Sequence, residues 1–235
     1  MDAIAAMKTI GANRAYLPDD VPDEVVYAAV ESARFAPQGG NRQPVRLVVV
    51  RDAEKKRRLK ELYLPPWRAY FEAAEAGIAG AAAGTSMLGE YGSARKALLA
   101  ANEFAENLDR HPLIIVVCAR LGDLHITDLE YDRPSVVGGA SIYPFVQNLC
   151  IAFRVAGVAT TVTTLLCGAE PEVKELLEIP DGYLTACHVV AGYPANGFPK
   201  KLRRREVEEF TYVDTFGSSI GCTSVPVNTA IRSET

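Results

Sequence analysis

Residues 35–46 read FAPQGGNRQPVR, the stretch of this chain richest in groups that could hold a ligand. Gln38, Asn41 and Gln43 place three amide side chains within six residues. Each amide donates and accepts hydrogen bonds in fixed directions. Gly39 and Gly40 between them let the backbone come close to something flat. Three other stretches belong with this one. GANRAYLPDD at 11–20 is turn-rich and carries Arg14, VATTVTTLL at 158–166 concentrates threonines, and KKLRRR at 200–205 is a short basic cluster.

Side chains that do chemistry by themselves are harder to find. His111, His125 and His188 are the only histidines and form no HxxxH or HxxH pair, which argues against a zinc site. No GxGxxG follows a strand-like run and no GxxxxGK[ST] occurs, so neither a dinucleotide fingerprint nor a P-loop is present. Ser141 lies in GGAS at the start of a helical pattern, not on the strand-to-helix turn of a nucleophile elbow. Cys187 adjoins His188, but neighbours on a strand point to opposite faces. Glu208 and Glu209 read as solvated tail residues. A chain with binding groups and no evident acid, base or nucleophile suits a cofactor that performs the chemistry while the protein binds and orients it. Directed amides match the pyrimidine edge and ribityl hydroxyls of a flavin, and cationic side chains match a phosphate.

The elements that must position these residues follow from periodicity and punctuation. Residues 2–9 read as a short helix. Pro22 fits the first helical position, and PDEVVYAAVESARFA puts Val25, Val26, Ala29, Val30 and Ala33 on one face before Pro37. VRLVVVRD after the amide loop is a strand, followed by a charged amphipathic helix AEKKRRLKELY whose basic run reads as a solvated face. Residues 64–108 mix aromatic, Ala-rich and Gly-broken segments, giving helices near 66–76 and 92–107 around a flexible loop at 77–92. PLIIVVCAR at 112–120 is a second apolar strand. Residues 137–157 form a long, mostly apolar helix expected at the buried centre of the fold. An extended segment over 158–166, a helix in PEVKELLEI and a strand in TACHVVAGYP complete the order. Wholly apolar strands belong to a sheet covered on both faces, α+β or α/β.

The 235 residues carry a net charge of −4, about half are hydrophobic, and no basic stripe marks a nucleic-acid surface. The five cysteines form no CxxC, consistent with a reducing compartment. The N-terminus lacks the build of a signal peptide, and no run of about 18 apolar residues occurs. These features predict a soluble, cytoplasmic, single-domain protein, and the apolar excess fits an oligomer.

Several motifs in order resemble the FMN-dependent nitroreductase family, over roughly residues 2–215. VPDEVVYAAVESARFAPQGGNRQPVRLVVVRD is similar to its helix, amide loop and following strand. GGASIYPFVQNLCIAFRVAGVATTVTTL is similar to its central helix, and ELLEIPDGY, VVAGYP and KKLRRREVEEF to its last third. The resemblance implies an α+β fold, a mixed or antiparallel sheet flanked by helices, in an intertwined homodimer with two FMN sites built from both chains. It implies a flavin reduced by NADH or NADPH that then reduces a nitroaromatic, quinone or similar small aromatic acceptor by a ping-pong cycle. By motif, Pro37, Gln38, Gly39, Asn41 and Gln43 line the flavin, and Arg14 approaches its pyrimidine edge or ribityl chain. Thr163, Thr164 and Leu165 pass near its reactive nitrogen, and Lys201 and Arg204 reach the phosphate. Residues 64–108 become a substrate lid on a domain of residues 1–215, with 216–235 as a tail. Three positions depart from the pattern. The usual phosphate arginine is absent at Ile10 and Gly11, Gln38 stands where the loop has serine, and Val45 where it has tryptophan.

Overall fold

Seven consecutive residues, Leu113–Ala119, are apolar and buried, so the strand that contains them has no solvent face. The computed structural model, which describes residues 1–77 and 91–221, places this strand, β2 (Leu113–Arg120), inside a four-stranded antiparallel sheet. The other strands are β1 (Val45–Val50), β3 (Ala159–Thr163) and β4 (Tyr183–Gly192), in the order β1-β2-β4-β3. β2 and β4 are therefore central, and β1 and β3 are the edges. The expected α+β class, with helices flanking an antiparallel sheet, is what the chain adopts.

Period-two alternation divides the core. Leu113, Ile115 and Val117 of β2 join Cys187, Val189 and Ala191 of β4 on one face. There they meet helices α2 (Asp23–Ala33) and α5 (Tyr143–Val155). Ile114, Val116, Cys118 and Val190 form the other face, against α3 (Ala53–Glu75), α4 (Tyr91–Glu106) and α6 (Glu170–Leu177). The remaining helix, α1 (Ala3–Thr9), is capped by Asp2, whose carboxylate accepts from the Ala5 amide at 2.9 Å.

Two helices differ from expectation. The helix expected to stop near Tyr63 continues as α3 through Pro65 and Pro66 to Glu75. Interior prolines each cost roughly 3 kcal/mol or more. Leu59, Tyr63, Leu64 and Trp67 are buried from the middle of this helix, and that packing offsets the cost. The helix expected at the buried centre is instead a 3₁₀ turn (Val137–Ser141) followed by α5. One side of α5 is open: Tyr143 and Val155 are about half exposed, and a groove of about 420 Å³ runs between α2 and α5 past Ala28, Asn148 and Ile151.

The basic run of α3 is a solvated face. Arg57 pairs with Glu54 and Glu61, and Arg58 with Glu61, all well exposed; such pairs contribute little to stability. Beyond Lys200 the chain enters a second compact unit that starts at Lys201. Within it a capping box, Glu206 to Glu209, closes a short 3₁₀ turn, and Tyr212 packs on Phe216 with ring centroids 4.5 Å apart. Most of the Gly/Ala-rich loop expected near 77–92, and the tail with Cys222, lie outside the described residues.

Cys187 and His188 point to opposite faces of β4, as neighbours on a strand do. Burial pushes the Cys187 thiol up to about 12, so it is no nucleophile at neutral pH. His188 is fully buried, neither ring nitrogen has a protein partner, and burial lowers its pKa to about 4. Its folded pKa lies below the unfolded value near 6.5, so the unfolded chain binds the extra proton first. Stability is then fully present above about pH 6.5 and falls as the pH drops toward 4, by on the order of 3 kcal/mol. Unfolding of wild type and His188→Leu by urea across pH 4–7 tests this. The variant should lose that part of the acid slope, and identical slopes would contradict the assignment.

Candidate functional site

The residues singled out by sequence form two groups and two outliers. The first group lies along the edge strand β3. The chain before α2 runs beside it: the Asn13 amide donates to the Thr160 carbonyl at 3.1 Å, and the Thr161 hydroxyl donates to the Asn13 carbonyl. Asn13 also reaches Gly197 through its amide nitrogen at 3.1 Å and accepts from the Ala15 amide, which folds the turn that presents Arg14. Tyr16 follows, its hydroxyl 3.1 Å from the Thr161 hydroxyl and 3.2 Å from the Val190 carbonyl. Tyr63 of α3 reaches Thr163 in the same way at 3.3 Å.

Arg14 is exposed and makes no hydrogen bond or ion pair among the described residues. Its charge acts on both tyrosines. Burial raises the pKa of each phenol, and the threonine hydrogen bond and the Arg14 charge only partly oppose it. Both phenols therefore stay protonated at neutral pH. Thr164 follows the strand and takes the N-cap position of a 3₁₀ turn, Leu165–Ala169. The exposed Thr164, the half-buried Thr163 and Leu165, and the cation of Arg14 thus border one polar ledge with two aromatic hydroxyls behind it.

The second group is the amide loop between α2 and β1. Its 3₁₀ turn, Gly39–Asn41, is pinned where the Gly39 amide donates to the Ser141 hydroxyl at 3.0 Å. Gly40, Asn41 and Gln43 all have φ between 50° and 59°. Left-handed backbone is unstrained for glycine and costs other residues on the order of 1 kcal/mol each. Asn41 and Gln43 are exposed and linked by a 3.3 Å amide hydrogen bond, and Pro37 is exposed beside them. Gln38 differs. Its Oε1 is buried with no protein donor, and the residue lines a groove of about 500 Å³ with Val26, Tyr27, Val30 and Leu47.

The two groups do not meet within one chain. The amide loop leads into β1, the ledge belongs to β3, and these are opposite edges of the sheet. Three strand spacings put them about 14 Å apart across the sheet. The outliers, Lys201 and Arg204, are exposed residues of the second unit, and Arg204 donates to the Arg203 carbonyl at 2.7 Å.

Sequence reading missed Tyr16, Tyr63 and the anchoring role of Ser141. Tyr63 carried a signal, an aromatic on the apolar face of a charged helix. Ser141 had none, because its partner lies 102 residues earlier. Among the described residues no group of three His, Cys, Asp or Glu side chains could hold a metal ion, and no helix is long and apolar enough to cross a membrane.

Comparison with known proteins decides the family. The model of the Nitroreductase family matches residues 9–193, most of the chain and all of the sheet. This chain belongs to the nitroreductase family. That is a family of oxidoreductases. Similar solved structures are NfrA2 of B. megaterium (22% identity, TM-score 0.64, 92% of this chain and 76% of that one) and the NADPH:FMN oxidoreductase of Vibrio harveyi complexed with NAD+ (13%, 0.64, 96% and 80%). A BluB-like flavoprotein from Clostridium difficile 630 matches at 16% identity and a TM-score of 0.65, with 92% of this chain covering 100% of that one. Comparison with curated proteins gave no match. At these identities the likeness is one of fold.

The ledge of this family member depends on Thr161, which accepts from Tyr16 and donates to Asn13 from a nearly fully buried position. Thr161→Val keeps the shape and removes both bonds, leaving a carbonyl without its donor. The expected loss is about 1–3 kcal/mol in urea unfolding. A loss below a few tenths would mean that the Arg14 turn is held by its other contacts.

Proposed function

We propose that the protein is an FMN-dependent NAD(P)H oxidoreductase that reduces nitroaromatic or quinone-type acceptors in a ping-pong cycle. The observation that carries this reading is the amide loop. It holds Asn41 and Gln43 exposed in a costly left-handed backbone, a conformation that displays directed donors and acceptors. The donor set fits a flavin mononucleotide. Amides suit its pyrimidine edge, threonine and backbone groups at 163–165 suit the ring's central edge, and the unpaired Arg14 suits the pyrimidine edge or the ribityl chain. FMN, when bound, supplies the hydride- and electron-transfer chemistry.

The chain's own residues bind and orient. Pro37, Gln38, Gly39, Asn41 and Gln43 form one wall, and Arg14, Thr163, Thr164 and Leu165 the other. Lys201 and Arg204 are assigned to the phosphate by motif. Because the walls stand at opposite sheet edges, a complete site takes the loop of one protomer and the ledge of another. This supports an intertwined homodimer with the open α2/α5 face buried in it. We read residues 1–215 as one flavin-binding domain and 216–235 as a tail. Residues 64–108 are read as the substrate lid and the location as cytoplasmic. NADH or NADPH is the reductant and a small aromatic compound the acceptor. The Vibrio harveyi relative, an NADPH:FMN oxidoreductase, supports the choice of cofactors.

A specialised flavoenzyme of the same fold, performing dehydrogenation, dehalogenation or flavin cleavage, is the second reading. Gln38 and Val45 in the loop favour it. A flavin-binding protein without turnover is the third, prompted by the missing arginine at 10–11.

Purified protein should be yellow, run as a dimer on sizing with light scattering, bleach with NADH or NADPH and recover colour with a nitroaromatic or quinone. Colour that neither nicotinamide bleaches would move the assignment to the second or third reading. A colourless protein that takes up no added FMN ends all three. Arg14→Ala and Asn41→Gly should each weaken FMN binding roughly 5- to 30-fold, the loss of one hydrogen bond or charge-assisted contact. Glycine at 41 keeps the left-handed backbone, so the change reads the amide alone. Unchanged affinity in both would show that the walls are misplaced.

A further inference from the structure

Arg154 is a cation in the wrong company. It lies in the last turn of α5 within IAFRVAG, flanked by Phe153 and Val155, and is only 9% exposed. No carboxylate pairs with it among the described residues. Burial alone acts on its pKa, lowering it, with no acidic group opposing. Buried charges are ordinarily paired. Its recorded partners are neutral: Nε donates to the Thr9 hydroxyl at 3.1 Å, and the guanidinium carbon lies 3.6 Å from the centroid of the Phe198 ring. The helix C-terminus and the ring both favour a cation, but neither accepts hydrogen bonds in the plane of the guanidinium. The two terminal nitrogens have no protein acceptor, and they are not among the buried unsatisfied atoms of the described residues. A planar fork fixed at its base and open to solvent at its tip, with no protein acceptor, matches a phosphate.

Its position says which phosphate. Thr9, held by Arg154, opens the segment that ends at Arg14, and five residues of chain span no more than about 18 Å. Phe198, stacked on the guanidinium, immediately precedes Pro199 and Lys200. Two unpaired arginines thus bracket one stretch of backbone beside β3, Arg14 near the tyrosine hydroxyls and Arg154 at the other end. Ile10 and Gly11, between them, carry no charge. We propose that Arg154 supplies the guanidinium that holds the phosphate of bound FMN, taking the place of the arginine missing at 10–11. This rests on the FMN reading above.

Flavin fluorescence titrations of the full chain, freed of flavin, separate the two ideas. Riboflavin has the same ring and ribityl chain and lacks the phosphate. Wild type should bind FMN well and riboflavin more weakly. Arg154→Gln should weaken FMN 10- to 100-fold, leave riboflavin within about twofold, and flatten the salt dependence of FMN binding. Arg154→Lys keeps the charge without the fork and should lose several-fold for FMN only. If Arg154→Gln does not fold, the lysine variant carries the test. An unchanged FMN-to-riboflavin ratio in the variant that folds, whether both affinities fall together or neither falls, overturns the proposal and leaves Arg154 as a clamp between α1 and α5. Wild type that binds neither flavin overturns the flavin reading itself, and this proposal with it.

Discussion

The whole arrangement hangs on the pairing of β2 with β4. Both strands are buried on both faces, so every neighbouring element is placed by what it must cover. α2 and α5 cover one face, α3, α4 and α6 the other, and the less buried strands β1 and β3 fall to the edges. The candidate binding groups then follow. The amide loop enters β1 and the threonine ledge leaves β3, so the central pair that gives the core its stability also holds the two walls apart. Separation of the walls within a chain is a consequence of the sheet order.

Much of the fold was legible because the strongest signals were compositional. PLIIVVCAR and VRLVVVRD could be little else but strands, and both are. The amide loop was legible because Gln, Asn, Gly and Pro announce a turn with a task. Legibility failed where long-range packing overrides local preference. Pro65 and Pro66 mark a helix end in isolation, but the burial of Tyr63, Leu64 and Trp67 carries α3 straight through them. The apolar stripe of residues 137–157 reads as a central helix, while the structure leaves one of its sides open between α2 and α5.

The site was half legible for a related reason. Residue types at 37–43 and 162–165 pointed to a ligand, but the tyrosines that back the ledge act through partners far away in sequence. Tyr16 and Thr161 are 145 positions apart, Tyr63 and Thr163 are 100. Arg154 was visible as a lone charge in an apolar helix. Only its neighbours, a hydroxyl and an aromatic ring in place of a carboxylate, make that charge a question.

The left-handed residues of the amide loop bear on time as well as energy. Gly40, Asn41 and Gln43 already occupy their unusual conformations, and the Ser141 hydroxyl holds the turn from behind. A loop set in advance has little conformational entropy left to surrender when a ligand arrives. If the loop binds flavin as proposed, such a wall would leave capture to diffusion and access, with little ordering in front of it.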